Sequence, residues 1–430
     1  MDMTTDRRSF LRAGAASGAF LLANPLQALA ARGAAVPGGG YGPLVDQGEL
    51  LLPERFTYAV VSRAGERMDD GHPVPTAFDG MAAFRGRRGE TILIRNHENR
   101  GRSGETRVLV PADLAYDSAA PGGCTKLVLD RRGGRVREFA VLGGTSTNCA
   151  GGAMPWGSWV TCEETFSGAA KPHGYVFEID AEADGPVAAE PIRAAGRFSH
   201  EAAVWARGRL YLTEDRGDAC LYRFTPDGRP RRAGDLARAG GVLEALKIAQ
   251  VDRADTRSAW PVGEPLAVEW VVVDRPDPVS EANGQSTRAQ AQAKGAAIFS
   301  RQEGAWTDHE RVVFDCTDGG AARAGQIWQL DTKRDRLTLV YESPGADVLD
   351  SPDNLCLVPR TGDVLLCEDG DDEQYVRGLT ADAEIYDLVR SKATSSEFCG
   401  ACFDPAGEVL FLNQQSPGVT YAIRGPWRAD

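Results

Sequence analysis

The sequence predicts an all-β protein, a six-bladed β-propeller with small helical insertions. Three observations lead there. A short apolar, β-branched run ending in carboxylates or amides recurs six times, and a second strand-like motif stands upstream of each copy. The 49 glycines and 24 prolines are spread along all 430 residues, which favours many short strands joined by turns.

The six runs are, in order, ETILIRNHEN (90–99), WVTCEET (159–165), RLYLTEDRG (209–217), RVVFDCTDG (311–319), DVLLCEDGD (363–371) and EVLFLNQQ (408–415). Their length and β-branched content make each a strand. The upstream motifs are Asp79-Gly80-Met81, Pro155-Trp156-Gly157, His200-Glu201-Ala202, Glu303-Gly304-Ala305, Asp353-Asn354-Leu355 and Glu397-Phe398-Cys399. Turn residues such as Arg85-Gly86 and Arg360-Thr361-Gly362 separate the two strands, and third strands are expected at 174–180, 220–225 and 326–331. The interval between the third and fourth copies is about twice as long as the others, so 228–298 reads as an insertion, with helical patterns at 241–249 and 286–297. The domain expected is 31–430. A β-sandwich with irregular loops is the rival architecture, and the repeat argues against it.

Composition narrows the partners. At 42% hydrophobic and 25% charged, the chain is rich enough in apolar residues to fill a core. A formal charge of −13 lacks the basic footprint that nucleic acids or anionic membranes require. Residues 1–30 read as an export signal: Arg7-Arg8-Ser9-Phe10-Leu11, a weakly apolar stretch at 13–22 too short to anchor in a bilayer, then Ala28-Leu29-Ala30. This pattern implies the twin-arginine machinery as a partner and a periplasmic or extracellular destination. Because that route carries folded cargo, it also hints at a bound cofactor. The nine cysteines lack the paired spacing of a zinc site; Cys399 and Cys402 form one C-x-x-C within a strand pattern, and most of the nine read as buried thiols.

In a propeller the innermost strands line one channel, so equivalent residues of different copies form a ring. Those positions offer Asp79, Glu201, Glu303 and Asp353, with Glu397 as a further candidate. Carboxylates converging on one channel repel unless cations neutralise them. Hard oxygen donors suit Ca²⁺, and higher-valent iron accepts them too.

The same residues carry a resemblance. The sequence is similar to the PhoX family of metal-dependent alkaline phosphatases over nearly its whole length. The motifs are Asn148-Cys149-Ala150-Gly151-Gly152, Pro155-Trp156-Gly157-Ser158-Trp159, Thr161-Cys162-Glu163-Glu164, Gly196-Arg197-Phe198-Ser199-His200-Glu201, Thr213-Glu214-Asp215-Arg216-Gly217-Asp218, Ser351-Pro352-Asp353-Asn354 and Gly425-Pro426-Trp427. The resemblance implies a six-bladed propeller that hydrolyses phosphate monoesters outside the cytoplasm, at two iron(III) and three calcium ions. It implies that Cys149 bridges the irons and that Glu164, Glu201 and Glu303 hold iron or calcium. Either Asp353 or Asp369 matches a further aspartate, and Arg301 matches the arginine that binds the substrate phosphate. Asp79 is a further metal candidate from the ring, and Glu98 and Glu214 are calcium candidates or acids paired with nearby bases. His97 and His200 are open to two readings, contacts to metal or substrate and, more often for such residues, satisfied neighbours of the site. Two features depart from the family's long members. The chain is shorter, and its arginine motif reads Ser300-Arg301-Gln302-Glu303 instead of Asp-Arg-Pro-Glu.

The expected chemistry is therefore metal-assisted phosphoryl transfer, with Arg301 on the phosphate and Cys149 in the cluster. No G-x-S-x-G elbow supplies a side-chain nucleophile. Two rival readings are a calcium-dependent propeller hydrolase acting on lactones or phosphotriesters, which needs no cysteine, and a non-catalytic propeller that holds calcium for stability.

Overall fold

Valine, isoleucine, leucine and aromatic residues alternate with small and polar ones along most of this chain, and they pair as antiparallel strands wherever turn residues let the backbone reverse. The computed structural model describes residues 40–427, so the export pattern at 1–30 lies outside the described residues. Strands β1 (Leu44–Asp46), β2 (Leu50–Pro53) and β3 (Thr57–Arg63) come first. Next, β4 (Phe78–Arg85), β5 (Thr91–His97), β6 (Gly122–Leu129) and β7 (Arg135–Thr145) form a four-stranded sheet in sequence order. A three-stranded sheet follows from β8 (Asn148–Met154), β9 (Ser158–Glu163) and β10 (Val176–Asp180).

The next stretch contains β11 (His200–Ala206), β12 (Arg209–Glu214), β13 (Tyr222–Pro226), helix α1 (Asp235–Arg238), β14 (Gly241–Ile248), β15 (Leu266–Val272) and helix α2 (Thr287–Gln292). After it come β16 (Ala305–Thr307), β17 (Arg311–Cys316), β18 (Gln326–Asp331) and β19 (Arg336–Glu342). Together these strands form one nine-stranded sheet, because β15 pairs with β14 on one side and with the Arg336–Leu337 end of β19 on the other. Last, β20 (Pro352–Leu357), β21 (Val364–Glu368), β22 (Tyr375–Leu379) and β23 (Ile385–Ser391) take β2 and β1 onto their outer edge. The sheet of β24 (Phe398–Phe403), β25 (Val409–Gln414) and β26 (Val419–Arg424) takes β3.

The result is an all-β, propeller-like arrangement with little helix. The first strands of the repeats lie side by side in a cycle, β4 to β8, β11, β16, β20, β24 and back to β4. Apolar side chains fill the space between successive sheets. Between the first two, for example, Ala82 and Ile94 meet Trp159, Phe177 and Ile179. The N-terminal strand β3 closes the last sheet against β26. Beside that closure Trp427 packs edge-on to Phe56, ring centroids 4.9 Å apart, and its indole N–H donates to the Glu408 carbonyl at 3.0 Å.

All six runs read from the sequence are strands, and each is the second of its repeat: β5, β9, β12, β17, β21 and β25. The strands bond into five sheets, because β15 joins two repeats. Two expectations are corrected. Pro155-Trp156-Gly157 is the turn after β8, where the Gly157 N–H donates to the Met154 carbonyl, so the inner strand of that repeat is Asn148–Met154. The stretch 241–249 holds a strand, not a helix. Its Leu, Glu, Ala and Lys favour helix, but pairing with β13 and β15 overrides that preference, and Leu243, Ala245, Leu246 and Ile248 are buried. At 286–297 a helix does form as α2, where the Ser286 hydroxyl accepts the Ala289 N–H at 3.2 Å.

Candidate metal centre

In four repeats two residues reach the mouth of the channel, Asp79 and Glu98, Cys149 and Glu164, Glu201 and Asp215, and Asp353 and Asp369, and a local device places the first of each pair. The inner strands β4, β8, β11, β20 and β24 each shift register near their first residues: at Phe78/Met81, Asn148/Gly151, His200/Ala203, Pro352/Leu355 and Cys399/Cys402. A bulge re-aims the side chain it carries. In four repeats it turns Asp79, Cys149, Glu201 and Asp353 into one cavity; Glu303, just before β16, joins them.

The second contribution follows the last residue of the second strand. The backbone N–H groups of Glu98, Glu164, Asp215, Thr317, Asp369 and Gln415 donate to the carbonyls of Ala77, Thr147, Ser199, Arg301, Ser351 and Glu397 in turn. Four of those acceptors, Ala77, Thr147, Arg301 and Ser351, adopt left-handed backbone with φ of 53°, 52°, 41° and 49°. Non-glycine residues rarely hold that conformation unless their surroundings impose it. Arg301 is held on both sides, its N–H on the Arg216 carbonyl and its C=O on the Thr317 N–H, each at 2.9 Å.

Strand alternation sends the preceding residue the other way. Glu163 binds His173 Nδ1 at 2.6 Å and the Gly174 N–H at 2.8 Å. Glu368 takes the Arg377 guanidinium at 3.0 Å. Glu214 accepts from the Tyr222 hydroxyl at 2.8 Å and from Arg288 at 3.1 Å. Glu214 therefore does not face the cavity, contrary to the metal role expected of it, and its neighbour Asp215 does. His97 is likewise turned away, onto Thr125 and the Thr76 carbonyl, and His200 bonds the Gly196 carbonyl.

The cavity encloses about 280 Å³. Of the candidates named from sequence it gathers Asp79, Glu98, Cys149, Glu164, Glu201, Arg301, Glu303, Asp353 and Asp369, so both aspartates left as alternatives are present. Glu397 also lines it, but from the position that Arg301 occupies in its own repeat; the ring position there is Cys399, whose thiol lies on the Phe78 carbonyl. Asp215, Arg100, Arg102 and Gln415 complete the wall without having been singled out in the sequence. Asp215 was legible in principle. It is the second member of Glu214-Asp215, aligned with Glu98 of His97-Glu98 and Glu164 of Glu163-Glu164.

Within the cavity the Cys149 thiol lies 3.4 Å from Glu98 and 3.5 Å from Glu164. Arg100 bridges Glu98 and Glu164, the latter at 2.8 Å, and Gln415 donates to Glu98 at 2.8 Å. Arg301 spans Asp215 through Nε at 3.0 Å and Glu303 through Nη2 at 2.7 Å. Three ligand sets have donor atoms within 4.8 Å of one another: Asp79, Glu98 and Cys149; Cys149, Glu164 and Glu201; and Glu201, Glu303 and Asp353. Cys149 belongs to the first two and Glu201 to the last two, so the sets adjoin.

Charge tests whether cations fit. Nine carboxylates and one thiol face three guanidinium groups. Burial first, then repulsion from neighbouring acids, pushes Glu164 up to about 8 and Asp353 up to about 7. The same causes hold Asp79, Glu201, Glu303 and Glu397 well above the usual carboxylate range. Burial, with Glu201, Glu98 and Glu164 around it, also raises the Cys149 thiol well above its ordinary value. Groups this unfavourable to ionise without a cation are the ones a cation ionises. Eight or more hard oxygens with one soft sulfur fit calcium together with iron.

Fold and site together define an all-β propeller-like protein built around a buried, acid-rich metal-type centre. The family model described as Alkaline phosphatase PhoX matches residues 39–418, and the chain belongs to this family of phosphate monoester hydrolases. Among solved structures the chain is similar to Pseudomonas fluorescens PhoX in complex with vanadate, a transition state analogue. That match has a TM-score of 0.67 and 18% identity over 90% of this chain and 98% of that one, and the likeness is one of fold. The WD40 propeller domain of Doa1 matches with a TM-score of 0.41 at 8% identity, covering 85% of this chain and 96% of that one. A putative 6-phosphogluconolactonase from Bacteroides uniformis matches at 0.39 and 12%, covering 83% and 93%. These two agree too loosely to bear on the site. Comparison with the curated proteins finds no match.

Proposed function

We propose that this phosphatase works at a mixed iron and calcium cluster in the channel of a six-bladed propeller. The observation that carries this reading is the convergence of nine carboxylates and the Cys149 thiol on one buried cavity. Cys149, shared by two adjoining ligand sets, would hold iron(III). Glu164, Glu201, Glu303, Asp353, Asp369, Asp79 and Glu98 would hold iron or calcium beside it, and Asp215 takes the place first given to Glu214. When bound, such ions supply the positive charge that a phosphate ester's oxygens require and favour attack by water.

Arg301 positions the substrate. Asp215 and Glu303 hold its Nε and Nη2, so the guanidinium is oriented before substrate arrives, and Nη1 would donate to a phosphoryl oxygen. Preorganised charge of this kind acts most strongly as the transferred group gains negative charge. The six equivalent hydrogen bonds from Glu98 to Gln415, and the cycle of six inner strands, support six blades even though β15 joins two of them. The single domain spans 31–430, and the insertion at 228–298 contributes β14 and β15 to the sheet. The twin-arginine pattern at 1–30 supports export to the periplasm or beyond. No helix among the described residues is long and apolar enough to cross a membrane.

Elemental analysis of protein from its native compartment, beside hydrolysis of a chromogenic phosphate monoester, tests the reading. About two irons and several calciums per chain are expected, with activity lost on chelation. Calcium without iron and no monoester turnover would overturn it in favour of the lactonase-like or binding propeller.

A further inference from the structure

A second cavity, of about 640 Å³, adjoins the centre and shares Arg100 and Glu164 with it as a common wall. Its chemistry is the reverse of its neighbour's. Glu164 is the one carboxylate that lines it, and Arg100 neutralises that carboxylate at 2.8 Å. Facing them is Arg107, whose Nη2 donates to the carbonyls of Ser118 and Ala120 at 3.0 and 2.9 Å. Those two bonds fix the guanidinium without cancelling its charge, and Arg107 pairs with no carboxylate among the described residues. The remaining wall is made of small residues, the hydroxyls of Ser146, Thr147, Thr165 and Ser167 beside apolar Ala119, Pro121 and Ala169, and no aromatic ring lines it on which a base or aryl group would stack.

We propose that this cavity is a subsite for the leaving group of the substrate, and that it selects phosphate monoesters whose leaving group is small, polar and itself anionic, bearing a carboxylate or a second phosphate that Arg107 receives. The inference rests on the phosphatase reading above. The two cavities share the Arg100–Glu164 wall, so a phosphate held at Arg301 and the metal centre with its ester oxygen toward that wall would extend its second anion to Arg107. Planar guanidinium groups suit both carboxylate and phosphate.

The test compares metal-loaded enzyme acting on 3-phosphoglycerate and on glycerol 3-phosphate, which differ by one carboxylate in place of a hydroxymethyl group. The wild type should prefer 3-phosphoglycerate in kcat/KM. Arg107→Gln should lower that preference about tenfold, the scale of one hydrogen bond to a charged group, with the change in KM and not kcat. Arg107→Lys should retain much of the preference. Ser167→Asp, which sets a carboxylate on the opposite wall and leaves the Arg107 bonds alone, should lower it as well. A preference unchanged by Arg107→Gln and Ser167→Asp would overturn the subsite while leaving the phosphatase reading intact. Failure of the loaded wild type to hydrolyse either ester would overturn both.

Discussion

Glu214 and Asp215 are adjacent acids with opposite fates, and the difference follows from the alternation of a strand. Glu214 is fully buried and satisfied by Tyr222, the Cys220 N–H and Arg288; burial first, then relief from Arg288, leaves it raised to about 7. Asp215 points the other way and fixes Arg301. The two carboxamide variants should therefore separate structure from chemistry. Asp215→Asn should lower kcat/KM by about 10–100-fold, the usual cost of losing a group that orients a site, with the melting temperature little changed. Glu214→Gln should keep most activity and metal but destabilise the fold by about 1–3 kcal/mol, because the charged hydrogen bond between buried Glu214 and half-buried Arg288 is weakened. Thermal melts and metal content on both variants check this. A Glu214→Gln protein that melts normally yet loses calcium would restore the ligand role first expected of Glu214.

At the level of strands, the centre is held by backbone capture across neighbouring repeats. The Asn96 amide donates to the carbonyls of Cys149 and Ala150 at 2.6 and 2.7 Å while its oxygen accepts from Trp159. Thr213 does the same for the Glu303 carbonyl and Asn413 for that of Asp79. Close backbone approach accompanies this: a Cβ on Gly304 would lie 2.3 Å from the Asp353 carbonyl oxygen. Asn96→Ala strands two buried carbonyls and an indole N–H, so it should cost about 3 kcal/mol in denaturant unfolding and reduce metal retention at Cys149; a cost below about 1 kcal/mol would show that the capture is incidental. Much of this level was legible beforehand. Strand-like runs ending in acids located every second strand, and residue type alone located most of the cavity. What escaped was whatever pairing decides. The bulges that aim Asp79 and Cys149 inward have no residue signature, and the parity that separates Asp215 from Glu214 needed the end of β12. In β14, Leu243-Glu244-Ala245-Leu246-Lys247 looks helical until two neighbouring strands claim its backbone.

For the whole molecule, closure and charge act together. The chain's first strands close its last two sheets, β3 on β26 and β2 on β23, so the inner strands cannot spread without breaking contacts near both ends of the described chain. That closed frame forces acids together, and without metal it does so against their repulsion. Carboxyls held up at about 7 and about 8, as at Asp353 and Glu164, keep protons in the folded state that the unfolded chain has already released above its ordinary carboxylate pKa near 4. Protons bound only by the folded state stabilise it below that lower value, and the benefit disappears as pH rises through the folded one. Chelated protein should therefore melt at progressively lower temperature between about pH 5 and pH 8. Metals reverse the dependence, because ions bind the deprotonated ligands and displace those same protons. Restoring calcium and iron should raise the melting temperature most at pH 8 and least at pH 5. Calorimetric melts of chelated and reloaded protein across that range decide the matter, and a chelated protein as stable at pH 8 as at pH 5 would mean that the acids of the channel relax apart when no cation holds them.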